Sequence, residues 1–155
     1  MGTHLKPGDP APEFAAPATD GHLLRSTDFL GRKLVLYFYP MDDTPGCTKQ
    51  ACSLRDTSAS IAARGAAIVG VSAQGSESHQ RFTEKYNLNF PLLADTDLKV
   101  AKSYGVAGSG LSGLLRSVAK VSERVTFIID ENGRISHIID DPDCPDHGEE
   151  VLALL

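Results

Sequence analysis

The chain has 155 residues, 41% hydrophobic and 23% charged, which is one domain with room for a sizeable core. Its net charge of −5 argues against nucleic acid or an anionic membrane as a partner, and no apolar run approaches the length of a membrane span. Residues 1–6 lack the apolar core of a signal peptide and the hydroxyl residue of a myristoylation site, and three cysteines, an odd number, fit a reducing compartment, so a cytoplasmic protein is expected.

Residues 1–13 are rich in Pro and Gly and are expected to wrap the surface. Residues 14–18 and 22–24 flank Asp20 and Gly21, a hairpin-turn signal. Ser26, Thr27 and Asp28 cap a short turn before Phe29. The apolar run 33–39 reads as a buried strand. Residues 53–64 read as a helix closed by Gly65. The β-branched run 67–72 reads as a second, parallel central strand. Ser76 is placed to cap a helix through Tyr86, with Phe82 and Tyr86 on one face. Residues 90–94 read as a strand, and 96–104 as a helix with Thr96 as cap and Gly105 as stop. From 105 to 122 the chain is rich in Gly and Ser around Leu111, Leu114, Leu115 and Val118, and reads as a partly apolar loop. Residues 125–130 and 135–139 form a hairpin about Asn132 and Gly133. Residues 148–155 end the chain as a helix. Alternating strands and helices, then a hairpin and a helix, predict an α/β fold with a mixed central sheet flanked by helices and an N-terminal hairpin.

The chain is organised around residues 39–52, where the buried strand hands over to a helix. Cys47 falls at that junction. Unpaired N–H groups and the positive end of the helix dipole gather there and favour the thiolate, the reactive form of the side chain. Cys47 is therefore a candidate nucleophile. Cys52 lies five residues on. In an ideal helix that separation puts the Cα atoms roughly 8–9 Å apart, whereas a disulfide tolerates at most about 7 Å. Either the two do not pair, or this turn unwinds when they do.

The pattern Pro40-x-x-x-Thr44-x-x-Cys47 resembles the active-site motif of the peroxiredoxins. With Phe38, Tyr39, Pro45, Gly46, Thr48, Ala51 and Cys52 it is similar to the PrxQ, or bacterioferritin comigratory protein, subfamily. The likeness extends over most of the chain. It implies a thioredoxin fold and a thiol-dependent peroxidase that reduces hydrogen peroxide and organic hydroperoxides without metal, haem or flavin. In that reading Cys47 is oxidised to a sulfenic acid and Cys52 resolves it as a Cys47–Cys52 disulfide, which a thioredoxin-type dithiol reduces. Thr44 orients the peroxide and Pro40 shields Cys47 from water. The backbone N–H of Cys47 is left free for peroxide oxygens. The family also needs an arginine from a distant strand, to stabilise charge on sulfur and on the breaking O–O bond. Arg124, in a segment similar to the family's Arg-x-Thr-Phe, is the residue so implied; Arg55 and Arg116 read as surface charges. The resemblance also implies a monomer, since resolution occurs within one chain.

Other readings remain open on the sequence. A protein thiol–disulfide oxidoreductase is one, although no C-x-x-C is present. Cys47, Cys52, Cys144 and His147 supply a Cys3His set for structural zinc. A redox-regulated binding protein is a third. Cys144, in an acidic, Pro-rich segment, reads as a surface cysteine, with an alternative resolving or intermolecular thiol as the second reading. The leucines of 106–122, where the subfamily carries aromatic and charged residues, hint at bulkier organic hydroperoxides.

Overall fold

A computed structural model describes residues 3–107 and 121–155. Five strands form one mixed sheet in the order β5-β4-β3-β6-β7. They are β3 (Lys33–Phe38), β4 (Ala66–Ser72), β5 (Leu92–Ala94), β6 (Val125–Ile129) and β7 (Ile135–Ile139). β4 runs parallel to β3 and to β5, and β6 runs antiparallel to β3 and to β7. β3 is therefore the centre of the sheet, and its run of apolar residues is explained by burial on both faces. Leu34, Leu36 and Phe38 point into one core with Val69, Val71, Phe127 and Tyr104. Val35, Tyr37 and Tyr39 point into the other with Ile68, Phe82, Leu92 and Ile128. Each such side chain, fully buried, contributes about 1.5–3 kcal/mol from apolar surface removed from water.

The first core is closed by a separate hairpin of β1 (Ala15–Pro17) and β2 (Leu23–Arg25), by a 3-10 turn at Ser26–Phe29, and by α3 (Lys99–Ser103). The second is closed by α1 (Pro45–Ala63), α2 (Ser76–Tyr86) and α4 (His147–Leu154). α4 lies so close to α1 that a Cβ on Gly148 would fall 2.2 Å from Thr57 Oγ1 and 2.5 Å from the Ser53 carbonyl. The Gly148 N–H instead donates to Ser53 Oγ at 2.8 Å. The N-terminal segment covers both edges of the sheet. Ala18 bridges Leu93 on β5, and Pro10 bridges Arg134 at the start of β7. Ala11 N–H donates to Gly133 O, and Ile135 N–H to Asp9 O, at 2.9 Å each.

Several boundaries differ from the sequence reading. α1 begins at Pro45, well before residue 53, because proline needs no N–H partner at the first helical position. Gly75, not Ser76, caps α2; the Ser76 hydroxyl instead donates to Ala18 O at 3.2 Å. α3 is shorter than expected and is not capped by Thr96. The buried carboxylate of Asp95 accepts from the N–H groups of Val100 and Ala101, at 2.9 Å each. The turn after β6 is as expected: Gly133 adopts φ +80°, and its N–H donates to Asp130 O at 3.1 Å. Residues 108–120, with Leu111, Leu114, Leu115, Arg116 and Val118, lie outside the described residues.

Candidate active site

β3 ends at Phe38, and the loop from Tyr39 to Thr44 turns the chain into α1. Thr44 supplies the extended residue before the helix, and its carbonyl accepts the first helical bond, from Thr48 N–H at 2.8 Å. Pro45, Gly46 and Cys47 occupy the first three helical positions. Cys47 therefore presents one of the backbone N–H groups that no earlier carbonyl in the helix can accept. Its side chain is 1% exposed.

Arg124 reaches this sulfur from just before β6. Its Nη2 stands 3.3 Å from Cys47 Sγ, and its Nη1 donates to Gln50 Oε1 at 2.8 Å. The guanidinium thus bridges two residues one turn apart on α1. It is aimed by the segment ahead of it: Ser122 Oγ donates to Tyr39 O at 3.1 Å, and Glu123 N–H donates to Val106 O at 2.7 Å. Arg124 and Cys47 are 77 residues apart in sequence, and the sheet register of β3 against β6, with Phe38 opposite Val125, makes them neighbours. A permanent cation on a buried sulfur stabilises negative charge there and on an oxygen leaving it.

Of the other expected residues, Pro40 is half-buried, one residue beyond Tyr39. Thr44 Oγ1 donates to Met41 O at 2.9 Å and makes no cap bond to the helix. Cys52 is half-buried on the same helix as Cys47, and all three cysteines are free thiols. Arg55 is turned away, donating to Tyr86 O at 2.6 Å and pairing with Asp56. Cys144 is not the isolated surface residue of the sequence reading. It is half-buried, with its Sγ 3.9 Å from where a Cβ of Gly46 would stand. Burial pushes its thiol above the usual value, against the pull of Arg124.

The Cys3His metal set is not assembled. His147 is fully buried, its Nδ1 donating to Glu150 Oε1 at 2.9 Å while its Nε2 accepts from Thr126 Oγ1 at 2.8 Å. Both ring nitrogens are thus taken, and no three such ligand residues cluster for a metal ion among the described residues. Burial holds His147 below the ordinary histidine value, against the opposing pull of Glu150.

Sequence reasoning missed the brace behind the loop. Asp42 is buried and accepts from the Tyr39 hydroxyl, the Ser78 hydroxyl and His79 Nδ1, at 2.7 Å each. His79 Nε2 meets Leu93 O at 2.8 Å. Both ring nitrogens are engaged, so the ring is held from both sides. The next residue, Asp43, has φ +58° and takes Lys85 and the Tyr86 hydroxyl. The loop before Cys47 is therefore pinned to α2 at two successive residues, and no local pattern in the sequence announces it. Gln50 was also missed, although its place three residues after Cys47 puts the two on one helix face.

Burial alone would raise the Asp42 carboxyl, but the hydrogen bond and charge of His79 and the two hydroxyls outweigh it and hold it below its ordinary 3.8. A carboxylate with a depressed folded value adds stability that is present above its unfolded value and lost as pH falls through the folded one. Asp42→Asn is accordingly expected to cost about 1.5–3 kcal/mol at neutral pH, because the Tyr39 and Ser78 hydroxyls and His79 Nδ1 lose their charged partner. It should also remove the part of the acid-induced loss that sets in below about pH 4. Urea midpoints of both proteins across that range test this; equal midpoints at pH 7 would remove the brace as a stabilising feature.

Comparisons with known proteins agree with this outline. The model of the AhpC/TSA family matches residues 7–138. The chain is 40% identical over 148 residues to peroxiredoxin Bcp of Escherichia coli, covering 96% of this chain and 94% of that protein. It is 40% identical to the chloroplastic peroxiredoxin Q of Sedum lineare, covering 96% and 76% respectively. Among solved structures, peroxidoxin BcpB of Mycobacterium tuberculosis superposes with a TM-score of 0.85 at 34% identity, over 97% of this chain and 96% of that one. The bacterioferritin comigratory protein of Xanthomonas campestris, described for its alkyl peroxide reduction activity, superposes with a TM-score of 0.80 at 27% identity, over 90% and 88%.

Proposed function

Given that the chain belongs to the AhpC/TSA family, with the thioredoxin fold of the Bcp and PrxQ peroxiredoxins, we propose that its peroxidase chemistry runs through Cys47. The protein is a thiol-dependent peroxidase. The observation that carries the assignment of Cys47 is the contact of its buried sulfur with Arg124 Nη2 at the first turn of α1.

The Cys47 thiolate attacks one oxygen of the hydroperoxide. The O–O bond breaks, an S–O bond forms, and the second oxygen leaves as water or an alcohol after taking up a proton. Arg124 and the Cys47 N–H stabilise the charge that builds on the two oxygens. Thr44, half-buried one turn before Cys47, orients the peroxide once its hydroxyl leaves Met41 O. Pro40 limits water at the sulfur. The Cys52 thiol then condenses with the Cys47 sulfenic acid, releasing water and leaving a Cys47–Cys52 disulfide. Both residues sit on the continuous helix Pro45–Ala63, so this step unwinds the first turns of α1. A thioredoxin-type dithiol reduces the disulfide by exchange. Organic hydroperoxides are included among the substrates by analogy with the Xanthomonas campestris protein.

Residues 1–155 act as a single domain and a monomer, because one chain supplies both cysteines and the arginine. The location is the cytoplasm, a reading supported by three free thiols and by the lack, among the described residues, of a helix long and apolar enough to cross a membrane.

The test is the intact mass of the reduced protein after one equivalent of hydrogen peroxide, with peptide mapping in the absence of reductant. Loss of two hydrogens, mapped to Cys47 and Cys52, is the expected result. Three thiols still reduced in the presence of unconsumed peroxide would end the Cys47 reading. Fast reduction of insulin with slow peroxide consumption would favour the thiol–disulfide oxidoreductase instead.

A further inference from the structure

We propose that Cys144 is a second resolving thiol, which takes the oxidised Cys47 into a Cys47–Cys144 disulfide without unwinding α1. The proposal rests on Cys47 as the peroxide-reactive residue and adds a second route by which its oxidised form is resolved.

The fold brings this cysteine to the nucleophile. Cys144 opens the 3-10 turn Cys144–Asp146, which runs directly into α4. α4 is seated on α1 through Gly148 and Ser53, and this delivers the turn to the N-terminal end of α1. There the lack of a side chain on Gly46 opens the space between them. The point where its Cβ would stand is 3.9 Å from Cys144 Sγ and 3.2 Å from Arg124 Nη2. The same Nη2 is 3.3 Å from Cys47 Sγ. Two sulfurs far apart in sequence are thus brought to the same side chain-free space beside one guanidinium.

A second observation points to an oxygen-bearing species at this place. Gln50 is fully buried with its Oε1 on Arg124 Nη1, yet its Nε2 has no hydrogen-bond partner among the described residues. A buried amide N–H without an acceptor is costly, and a sulfenic oxygen on Cys47, one turn away, is an acceptor of the right kind.

The two routes to a disulfide differ in what must move. Cys52 lies on the same helix as Cys47, and pairing breaks helical hydrogen bonds. Cys144 lies on a short turn, its sulfur donating weakly to Pro142 O at 4.0 Å. Asp146 N–H to Asp143 O at 3.0 Å and Asp143 N–H to Glu150 Oε1 at 2.8 Å are the bonds that a shift of this turn would strain. In the reaction the S–O bond of the sulfenic acid breaks, an S–S bond forms, and the oxygen leaves as water with the Cys144 thiol proton. The same dithiol that reduces the Cys47–Cys52 bond regenerates both thiols. Burial pushes the Cys144 thiol up, which lowers its thiolate share and slows this branch; it serves when Cys52 is blocked or oxidised.

The experiment uses full-length Cys52→Ser, checked for native circular dichroism, treated with one equivalent of hydrogen peroxide. The expected product has lost two hydrogens, maps to a Cys47–Cys144 bridge and turns over with a dithiol reductant. The double variant Cys52→Ser/Cys144→Ser is expected to stop with one added oxygen on Cys47. In the wild-type protein, mapping should find a minor Cys47–Cys144 bridge that Cys144→Ser lacks, so a Cys52→Ser protein that misfolds does not leave the question open. Cys52→Ser that stops at one added oxygen with Cys144 free, or that forms only intermolecular bridges, would overturn the proposal while leaving Cys47 as the nucleophile. Failure of Cys47 to react with peroxide in any of these proteins would overturn that assignment as well.

Discussion

Cys47→Ser is expected to abolish peroxide consumption. A serine hydroxyl is not ionised near neutral pH, and oxygen attacks an O–O bond far less readily than a polarisable thiolate does. The rate constant for peroxide should fall by at least about a thousandfold, equivalent to losing roughly 4 kcal/mol of transition-state stabilisation. The fold should survive, since the substitution removes little volume at a site that is 1% exposed and leaves the first turn of α1 intact. Stopped-flow consumption of hydrogen peroxide, with thermal unfolding as the control, measures both. A residual rate within tenfold of the wild-type protein would move the nucleophile to Cys52 or Cys144.

Arg124 is expected to give the second largest effect. Arg124→Ala removes the one side-chain cation that meets Cys47 Sγ among the described residues, and a loss of about a hundredfold or more in the rate constant for peroxide is expected from deleting such a donor. Arg124→Lys should recover only part of it. The guanidinium holds Cys47 Sγ and Gln50 Oε1 with two different nitrogens, and a single ammonium on a flexible stem cannot keep both contacts in the same geometry. Loss of the partner of a buried Gln50 oxygen should also lower stability by about 1–3 kcal/mol. Full activity in the lysine variant would mean that charge alone, without the fork, is sufficient at this sulfur. An unchanged rate in the alanine variant would remove Arg124 from the chemistry.

Local signals made much of this legible before any coordinates. The apolar run of β3, the Asp20–Gly21 and Asn132–Gly133 turns, and the amphipathic residues of α2 are short-range features, and each element appears where its residues call for it. Phe82 and Tyr86 meet edge to face at 5.5 Å, as their spacing requires. The start of α1 reads too late in the sequence, at residue 53, although Cys47 already falls at the helix junction and Pro45 fits a first helical position. The start of α3 was misplaced because its first N–H groups are taken not by its own N-cap residue, Leu98, but by the buried Asp95 carboxylate from outside the helix. Arg124 carried no local signal; a family likeness singled it out, and the β3–β6 register accounts for its nearness. The Asp42–His79 pair joins residues 37 positions apart and is visible only once α2 is docked. Cys144 was misread for the same reason, since its surroundings are supplied by α1 rather than by its own acidic segment.

The covering of both sheet edges by the N-terminal segment has a consequence for synthesis. Residues 8–19 leave the ribosome well before their partners, Leu93 on β5 and residues 133–135 before and on β7. At roughly 5–20 residues per second, the wait between the two is on the order of ten seconds. During that time a nascent chain holding β3, β4 and β5 has an open strand edge, and residues 8–13 have nothing to bind. Removing residues 1–12 should therefore harm yield and solubility more than the activity of the molecules that do fold, because the lost contacts cover the β7 edge, which attracts other strands.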